Sequence, residues 1–210
     1  MTASITHCWK KLRRILDGAV RACLLVACLL QVSHAVAGVE VEQIRADRQD
    51  SGLFLHVHLK LDIGPAVEDA LARGVAIYFV AEAELMRDRW YWYDRKVSQV
   101  SRYYRLTYQP LTRQWRLQVS SEPLYSGSAA TTIVQTFDSL QAALDVIRRQ
   151  SGWKLAEAGD LEPDARQHVL YRFRLDLSQL PRPFQIMAGN QSDWNLGLSR
   201  QLRLAPESGN

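Results

Sequence analysis

Alternation of apolar and polar residues runs through most of this chain and is clearest over positions 53–63. Apolar residues occupy every second position there, while His56, His58, Lys60 and Asp62 lie between them. Successive side chains of a strand point to opposite faces, so a period of two predicts a strand with one buried face. The expected core-facing row is Leu53, Leu55, Val57, Leu59, Leu61 and Ile63.

Three further segments show the same alternation. They cover positions 75–85, 115–119 and 169–177. In the first of these, Glu82 and Glu84 fall on the outward side, and the β-branched residues at its start favour a strand over a helix. The expected core-facing residues are Val75, Ile77, Phe79, Ala81 and Ala83, then Trp115, Leu117 and Val119, then Val169, Tyr171, Phe173, Leu175 and Leu177.

Two segments show helical signals instead. Positions 65–73 begin with proline and are followed by Gly74, which is typical of a short helix with a glycine stop. Positions 139–150 form the second helix, with Asp138 or Ser139 as its N-terminal cap. One narrow apolar stripe would dock this helix on a sheet, and it consists of Leu140, Leu144 and Ile147.

Turn signals divide the rest of the chain into about eight strands. A parallel sheet needs helices between its strands, and two helices are too few, so antiparallel pairing is favoured. The sequence therefore predicts a mainly β fold: an antiparallel β-sandwich, immunoglobulin-like, of about eight strands with two short helical insertions. The turns are expected at positions 48–52, 109–113, 122–127, 181–183 and 189–193.

The first 37 residues read as a Sec-type signal peptide. An apolar run at positions 22–32 ends shortly before Ala35-Val36-Ala37, which is a small-x-small cleavage pattern. We expect cleavage after Ala37, a single sandwich domain over 38–210, and a periplasmic or exported location. The basic residues that precede or open the apolar run are Lys10, Lys11, Arg13, Arg14 and Arg21.

Two alternatives for this segment stay open. Leu25-Val26-Ala27 before Cys28 could be a lipoprotein signal, although much of the apolar run lies at or beyond the cysteine. An uncleaved anchor is the second alternative, but an apolar run of 11 residues is well short of the ~20 that span a bilayer. Contact with a membrane is therefore expected only through the signal segment, if it is retained.

Removal of the signal changes the charge and the thiol content. The whole chain carries a formal charge of +4, but residues 38–210 hold equal numbers of basic and acidic residues, 21 of each. All three cysteines, at positions 8, 23 and 28, are in the signal segment. Nucleic acid is not an expected partner, because binding it requires clustered, uncompensated Lys and Arg. Disulfides and thiol catalysis are excluded from the mature chain.

The densest group of unusual residues lies between positions 87 and 105. Four consecutive aromatics are followed by several arginines and tyrosines, a composition enriched in protein-binding anchors and in platforms that stack on sugars. The alternative is cross-strand aromatic packing with arginines over ring faces. The candidate binding residues are Trp90, Tyr91, Trp92, Tyr93, Arg95, Tyr103 and Arg105.

Candidate catalytic and metal residues are sparse. His56 and His58 are spaced to reach one metal ion, but a third ligand such as Asp62 or His168 is not placed by the sequence. The pair at positions 82 and 84 raises the question of a glycosidase without any further carboxylate in the pattern. No nucleotide-binding, zinc-protease or serine-hydrolase motif occurs in the chain. We expect no cofactor, no resident metal and no enzymatic activity.

Several segments carry a resemblance to a known family. Four segments together resemble an exported Gram-negative bacterial family. They are positions 75–85 followed by Trp90-Tyr91-Trp92, the strand at 102–108 with Trp115, the helix starting at 139, and Trp194-Asn195. That family is labelled "proline-rich signal peptide protein" and is a domain of unknown function, DUF4390. The resemblance covers nearly the whole mature chain, and it implies an exported protein whose gene often neighbours a membrane sensor kinase and its response regulator.

Three functions from different classes follow from these observations. The first is a non-enzymatic envelope protein, a protein-interaction module whose partner is an envelope protein such as a membrane sensor kinase. The second is a periplasmic carrier that binds a glycan or lipid in a groove lined by the same aromatics. The third is a hydrolase or metal-dependent enzyme, which would have to show turnover or bound metal.

Overall fold

The computed structural model describes residues 37–89, 91, 93–124, 132–162, 165–189 and 191–204. Residues 1–36 of the expected signal peptide lie outside these ranges. The strands are β1 (Gly38–Gln49), β2 (Gly52–Asp62), β3 (Ile77–Arg87), β4 (Arg95–Gln109), β5 (Gln114–Ser120), β6 (Thr132–Phe137), β7 (Arg149–Glu157), β8 (Gln167–Leu175) and β9 (Gly197–Arg203). The α-helices are α1 (Pro65–Ala72), α2 (Leu140–Arg148) and α3 (Arg182–Ala188).

The nine strands form two antiparallel sheets. The small sheet has the order β1-β2-β7, and the large sheet has the order β6-β5-β4-β3-β8-β9. Every strand pair in both sheets is antiparallel. The predicted mainly β, antiparallel sandwich is confirmed.

The core lies between the inner faces of the two sheets, where the period of two placed it. Five residues of the expected row on β2 are buried, and so are the alternating residues of β3 and β8. Phe79 of β3 and Phe173 of β8 stack within the large sheet at 5.7 Å between ring centroids. Trp153 of β7 meets the edge of Tyr171 of β8 at 6.5 Å, which joins the two sheets.

The two expected helices form, with local signals that explain their ends. α1 begins at Pro65, and its second residue, Ala66, donates its backbone N–H to Asp193 Oδ2 at 3.2 Å. Ser139 caps α2 by accepting the backbone N–H of Ala142 at 3.2 Å. Side chains in the middle of α2, including Leu144, are buried against the sheets. None of the described helices has the length and apolarity to cross a membrane.

Helix α3 was not expected, because Pro181 and Pro183 were interpreted as a turn. Pro183 occupies the first turn of α3, where a missing N–H costs nothing. Short 3₁₀ turns surround this helix at Leu177–Gln179 and Ser192–Trp194. Within the described part of the chain, the structure therefore has three α-helices instead of two.

The unequal width of the sheets positions the candidate site. β1 lies against β9, and β7 lies against β4, where Ser98 Oγ donates to the backbone carbonyl of Leu155 at 2.8 Å. The small sheet therefore stops above β4, while the large sheet continues through β5 and β6. Helix α2 contacts β5 and β6, but most of β6 is exposed. Part of the inner face of β4, β5 and β6 is consequently left uncovered.

Candidate functional site

The aromatic cluster singled out in the sequence lies at the connection between β3 and β4. β3 ends at Arg87 and β4 begins at Arg95, so Tyr91 and Tyr93 lie outside both strands. Tyr91 and Tyr93 are 65% and 86% exposed, and Arg95 is exposed as well. The other two members, Trp90 and Trp92, lie outside the described residues. We refer to the described residues of this connection, 88, 89, 91, 93 and 94, as the aromatic hairpin.

The remaining predicted binding residues are far from the aromatic hairpin. Tyr103 and Arg105 lie on the outer face of the large sheet, about 26 Å and about 33 Å along β4 from Arg95 at the rise of an extended strand. Arg105 donates to Gln118 Oε1 at 3.1 Å and lies 5.8 Å from the ring centroid of Tyr78. The structure therefore divides the five described residues of the predicted set between two separate regions.

A His–Asp contact fastens the base of the aromatic hairpin to β8. Nδ1 of the buried His168 lies 2.5 Å from Asp88 Oδ1, and Asp94 accepts the backbone N–H of Arg89 at 3.3 Å. Ligand atoms of Asp88, Asp94 and His168 all lie within 4.8 Å of one another, so this trio could hold a cation. Sequence reasoning missed it, because His168 is on a strand distant in sequence from both aspartates.

The histidine pair of β2 is divided between two carboxylates of β1. His56 Nε2 lies 3.5 Å from Asp47, and His58 Nδ1 lies 3.4 Å from Glu42. Both contacts are on the outer face of the small sheet and are partly exposed. Among the described residues, the two histidines are not part of any group of three candidate metal ligands.

Glu82 and Glu84 form ion pairs on the outer face of the large sheet. Arg174 lies 3.3 Å from Glu82, and Arg172 lies 3.4 Å from Glu84. Both arginines come from β8, the neighbour of β3. The two carboxylates therefore contribute to cross-strand charge pairing.

A groove lies where the large sheet extends beyond the small one. Its floor is the inner face of β4, β5 and β6, and its wall consists of β7 and the Val146 side of α2. The groove has a volume of about 920 Å³ and is open to solvent. The apolar and aromatic residues that line it are Val100, Tyr103, Tyr104, Val119, Ile133, Val146 and Trp153. We call this feature the inter-sheet groove.

Strand register explains how the floor is built. Tyr104 pairs with Val119, and Val119 pairs with Ile133, so these three side chains form a row across β4, β5 and β6. Tyr104 is buried beneath the small sheet, whereas Ile133 at the far end of the row is 56% exposed. The row thus passes from the core into the open groove.

Arg102 places a cation on this inner face. It pairs with the buried Ala81 of β3 and precedes Tyr104 by two residues, so it shares the face of the core residues. Its guanidinium carbon lies 5.0 Å from the ring centroid of Trp153 on the opposite sheet. Its charge also acts on the hydroxyl of Tyr104 and opposes the rise in the pKa of that group. Arg105, three residues further along β4, lies on the other face.

Two buried tyrosines next to Arg102 remain neutral. Burial raises the pKa of Tyr104 to about 12, although the charge of Arg102 opposes this rise. Burial also raises the pKa of Tyr171, and the nearby Tyr104 adds to the effect. Because desolvation disfavours the charged form of tyrosine, neither hydroxyl supplies a negative charge to balance Arg102.

The rim of the inter-sheet groove carries further charge. Arg149 and Lys154 come from β7, and Glu122 follows the end of β5. Lys154 lies 2.6 Å from Glu157, outside the groove lining, whereas Arg102 and Arg149 form no ion pair with a carboxylate of the described residues. With three cationic side chains and one anionic side chain in its lining, the groove favours an anionic ligand.

Comparison with known proteins identifies one match. A family model described as Domain of unknown function (DUF4390) matches residues 36–203, which is most of the chain. No curated protein and no solved structure matches the chain. The resemblance seen in the sequence is thereby confirmed, and it assigns no chemistry to the site.

Proposed function

We propose a binding function for this chain, which belongs to the family Domain of unknown function (DUF4390): an exported, non-enzymatic envelope protein that acts as a protein-interaction module. The observation that carries the proposal is the inter-sheet groove beside β7. β7 is one of the two edge strands of the small sheet, and the floor next to it is an uncovered sheet face. An extended segment of a partner protein fits this arrangement.

Such a segment would add a strand to the small sheet. Edge strands present unpaired backbone groups, and addition of an extended peptide to a sheet edge is a common mode of peptide recognition. A strand placed next to β7 would lie over β5 and β6 and would cover apolar side chains such as Val119 and Ile133. The small sheet would then match the large sheet more closely in width.

The partner class follows from the expected location and the family resemblance. A signal peptide would deliver the mature chain to the periplasm, and the resemblance directs attention to the outer part of a membrane sensor kinase. The aromatic hairpin, with Tyr91 and Tyr93, and the adjacent Arg95 offer a second contact surface for the same partner. Exposed tyrosine and arginine are residues that commonly anchor protein interfaces.

A periplasmic carrier of glycan or lipid is the second candidate function. The groove volume of about 920 Å³ is within the range of sites that bind small molecules. Its lining combines aliphatic side chains with the ring of Trp153, which suits an acyl chain or a sugar face. A carrier differs from an interaction module in the nature of its bound molecule, so one experiment separates them.

The experiment is photo-crosslinking in intact cell envelopes, with mass spectrometry of the adducts. The full chain carries a photoreactive amino acid at Ile133 on the groove floor, at Tyr93 in the aromatic hairpin, or at the fully exposed Leu111 as the matched surface control. We expect one recurrent protein adduct from Ile133 and none from Leu111. Lipid or glycan adducts from Ile133 would favour the carrier, and equal adducts from all positions would contradict both functions.

A further inference from the structure

We infer that Arg102 is the specificity-determining residue of the inter-sheet groove and that it binds the carboxylate of an Asp or Glu in the partner's extended segment. This inference rests on the proposed function and adds the chemistry that the groove recognises. The segment would present apolar side chains on either side of this acidic residue, at a spacing of two. Four features of the described residues lead to this conclusion.

The first feature is an uncompensated charge. Arg102 is half-buried on the inner face of the large sheet, and it forms no ion pair with a carboxylate of the described residues. Arg87, Arg172 and Arg174, which belong to the same sheet, each contact a carboxylate. Removing a charge from water is costly unless it is paired, so the position of Arg102 is best explained by an anion supplied from outside.

The second feature is the unused hydrogen-bonding capacity of this guanidinium. It carries five N–H donors, and its contacts within the described chain are the Trp153 ring and the Tyr104 side chain. The aromatic contact restrains the guanidinium without occupying its donors in strong hydrogen bonds. A carboxylate can accept two parallel N–H bonds from an arginine, which gives both strength and geometric specificity.

The third feature is the row of side chains beside Arg102. Tyr104, Val119 and Ile133 continue the same inner face across three strands. Side chains of an added strand would point toward this face at every second position, about 6.8 Å apart. One inward carboxylate at Arg102 would therefore be preceded and followed by inward side chains that face the groove floor, whose apolar residues include Val119 and Ile133.

The fourth feature is the charge of the rim. Arg149 and Lys154 lie on β7, alongside the path of the added strand, and Glu122 is the acidic residue of the lining. An acidic segment would be attracted to this side, whereas a basic one would be repelled. The charge pattern thus agrees with the position of Arg102 on the groove floor.

The test compares two arginines of one strand. Arg102→Gln removes the inner cation, and Arg105→Gln removes an outer one whose side chain bonds Gln118. Both proteins are isolated from cells that express the full chain, and far-UV circular dichroism with thermal unfolding establishes that each is folded. Binding is measured by fluorescence anisotropy with a labelled peptide, Thr-Val-Thr-Glu-Thr-Val-Thr, and with its Glu→Gln counterpart.

We expect Arg102→Gln to weaken binding of the acidic peptide by about 10- to 100-fold, as charge-assisted hydrogen bonds of about 1.5–3 kcal/mol imply. Arg105→Gln should leave the affinity unchanged. The Glu→Gln peptide should bind the unaltered protein as weakly as the acidic peptide binds the Arg102→Gln variant. That variant should not distinguish the two peptides.

Equal affinity of the two peptides for the unaltered protein, equal effects of both arginine substitutions, or no peptide binding would overturn the inference. So would binding of phosphatidylglycerol vesicles that depends on Arg102 in the absence of peptide binding, because the anion would then be a lipid headgroup. If a protein adduct still forms at Ile133 in envelopes, the interaction module stands and only the role of Arg102 falls. If Ile133 gives no protein adduct and peptide binding does not depend on Arg102, the proposed function is overturned as well.

Discussion

The guanidinium of Arg102 lies 5.0 Å from the ring centroid of Trp153, so a cation of the large sheet contacts an aromatic ring of the small one. The same ring meets the edge of Tyr171 on its way into the core. Trp153 thus connects the floor of the inter-sheet groove to the buried centre of the sandwich. Substitutions of Trp153 should therefore change the stability of the protein by an amount that depends on whether an aromatic ring is kept.

Trp153→Phe should cost less stability than Trp153→Ala. Phenylalanine keeps an aromatic ring against Tyr171, whereas alanine leaves a cavity, and such large-to-small changes cost about 3–5 kcal/mol. The phenylalanine variant should lose less than about 2 kcal/mol. Urea unfolding followed by circular dichroism measures both values. Equal losses would contradict the prediction, because they would show that a phenyl ring at this position restores none of the packing of the indole.

Tyr171→Phe should destabilise the protein by about 1–3 kcal/mol. The Tyr171 hydroxyl donates to Gln150 Oε1 at 3.1 Å, and Gln150 in turn donates its side-chain N–H to the carbonyl of Ile147 at 3.1 Å. Loss of the hydroxyl leaves a buried amide oxygen without its donor. Tyr93→Phe in the exposed aromatic hairpin is the control, and a similar loss there would contradict the assignment.

Stability should fall as the pH rises from about 10 to about 12. Burial raises the pKa of Tyr104 to about 12, while an unfolded chain releases the tyrosine proton near pH 10. Below pH 10 both states hold the proton, so the full stability is present. Between these values only the unfolded state ionises, which lowers the free energy of unfolding by up to about 2.7 kcal/mol.

Urea unfolding at a series of alkaline pH values measures this effect. Tyr104→Phe removes the ionisable group, so its stability should decline less steeply than that of the unaltered protein. Tyr93→Phe, at an exposed position, should follow the unaltered curve. Parallel curves for all three proteins would show that the ionisation of Tyr104 is not linked to folding.

Asp88→Ala should loosen the base of the aromatic hairpin. The substitution removes the carboxylate that lies 2.5 Å from His168 Nδ1, so a nitrogen of a buried imidazole loses its partner. We expect faster amide hydrogen exchange at the ends of β3 and β4, and a loss of about 1–3 kcal/mol in stability. Exchange that is unchanged there would show that the β3–β4 pairing alone holds the hairpin.

Much of the fold follows from local patterns. The alternation from Leu53 to Leu61 placed β2 and its buried face correctly, and Ser139 marked the start of α2. Helix α3 was missed because Pro181 and Pro183 read as a turn, although proline is well tolerated in a first helical turn. Local signals of this kind cannot report how strands pair at long range.

The inter-sheet groove depends on that long-range pairing. It exists because the small sheet has three strands and the large sheet has six among the described residues, and no segment of sequence records this difference. The side of β4 on which Arg102 lies could nevertheless be predicted from the sequence. Val100, Tyr104 and Leu106 share its parity on β4, so the inward cation was Arg102, whereas the sequence interpretation selected Tyr103 and Arg105 on the opposite face.

Amide hydrogen exchange of the protein with and without its bound partner tests the central claim most directly. The account predicts that binding protects the backbone of β7, residues 149–157, because an added strand would accept and donate hydrogen bonds at this edge. Outer-face amides should change little, and any protection of the aromatic hairpin should accompany that of β7 and not replace it. Protection confined to residues 88–95, with β7 unchanged, would contradict the account and move the binding site to the hairpin.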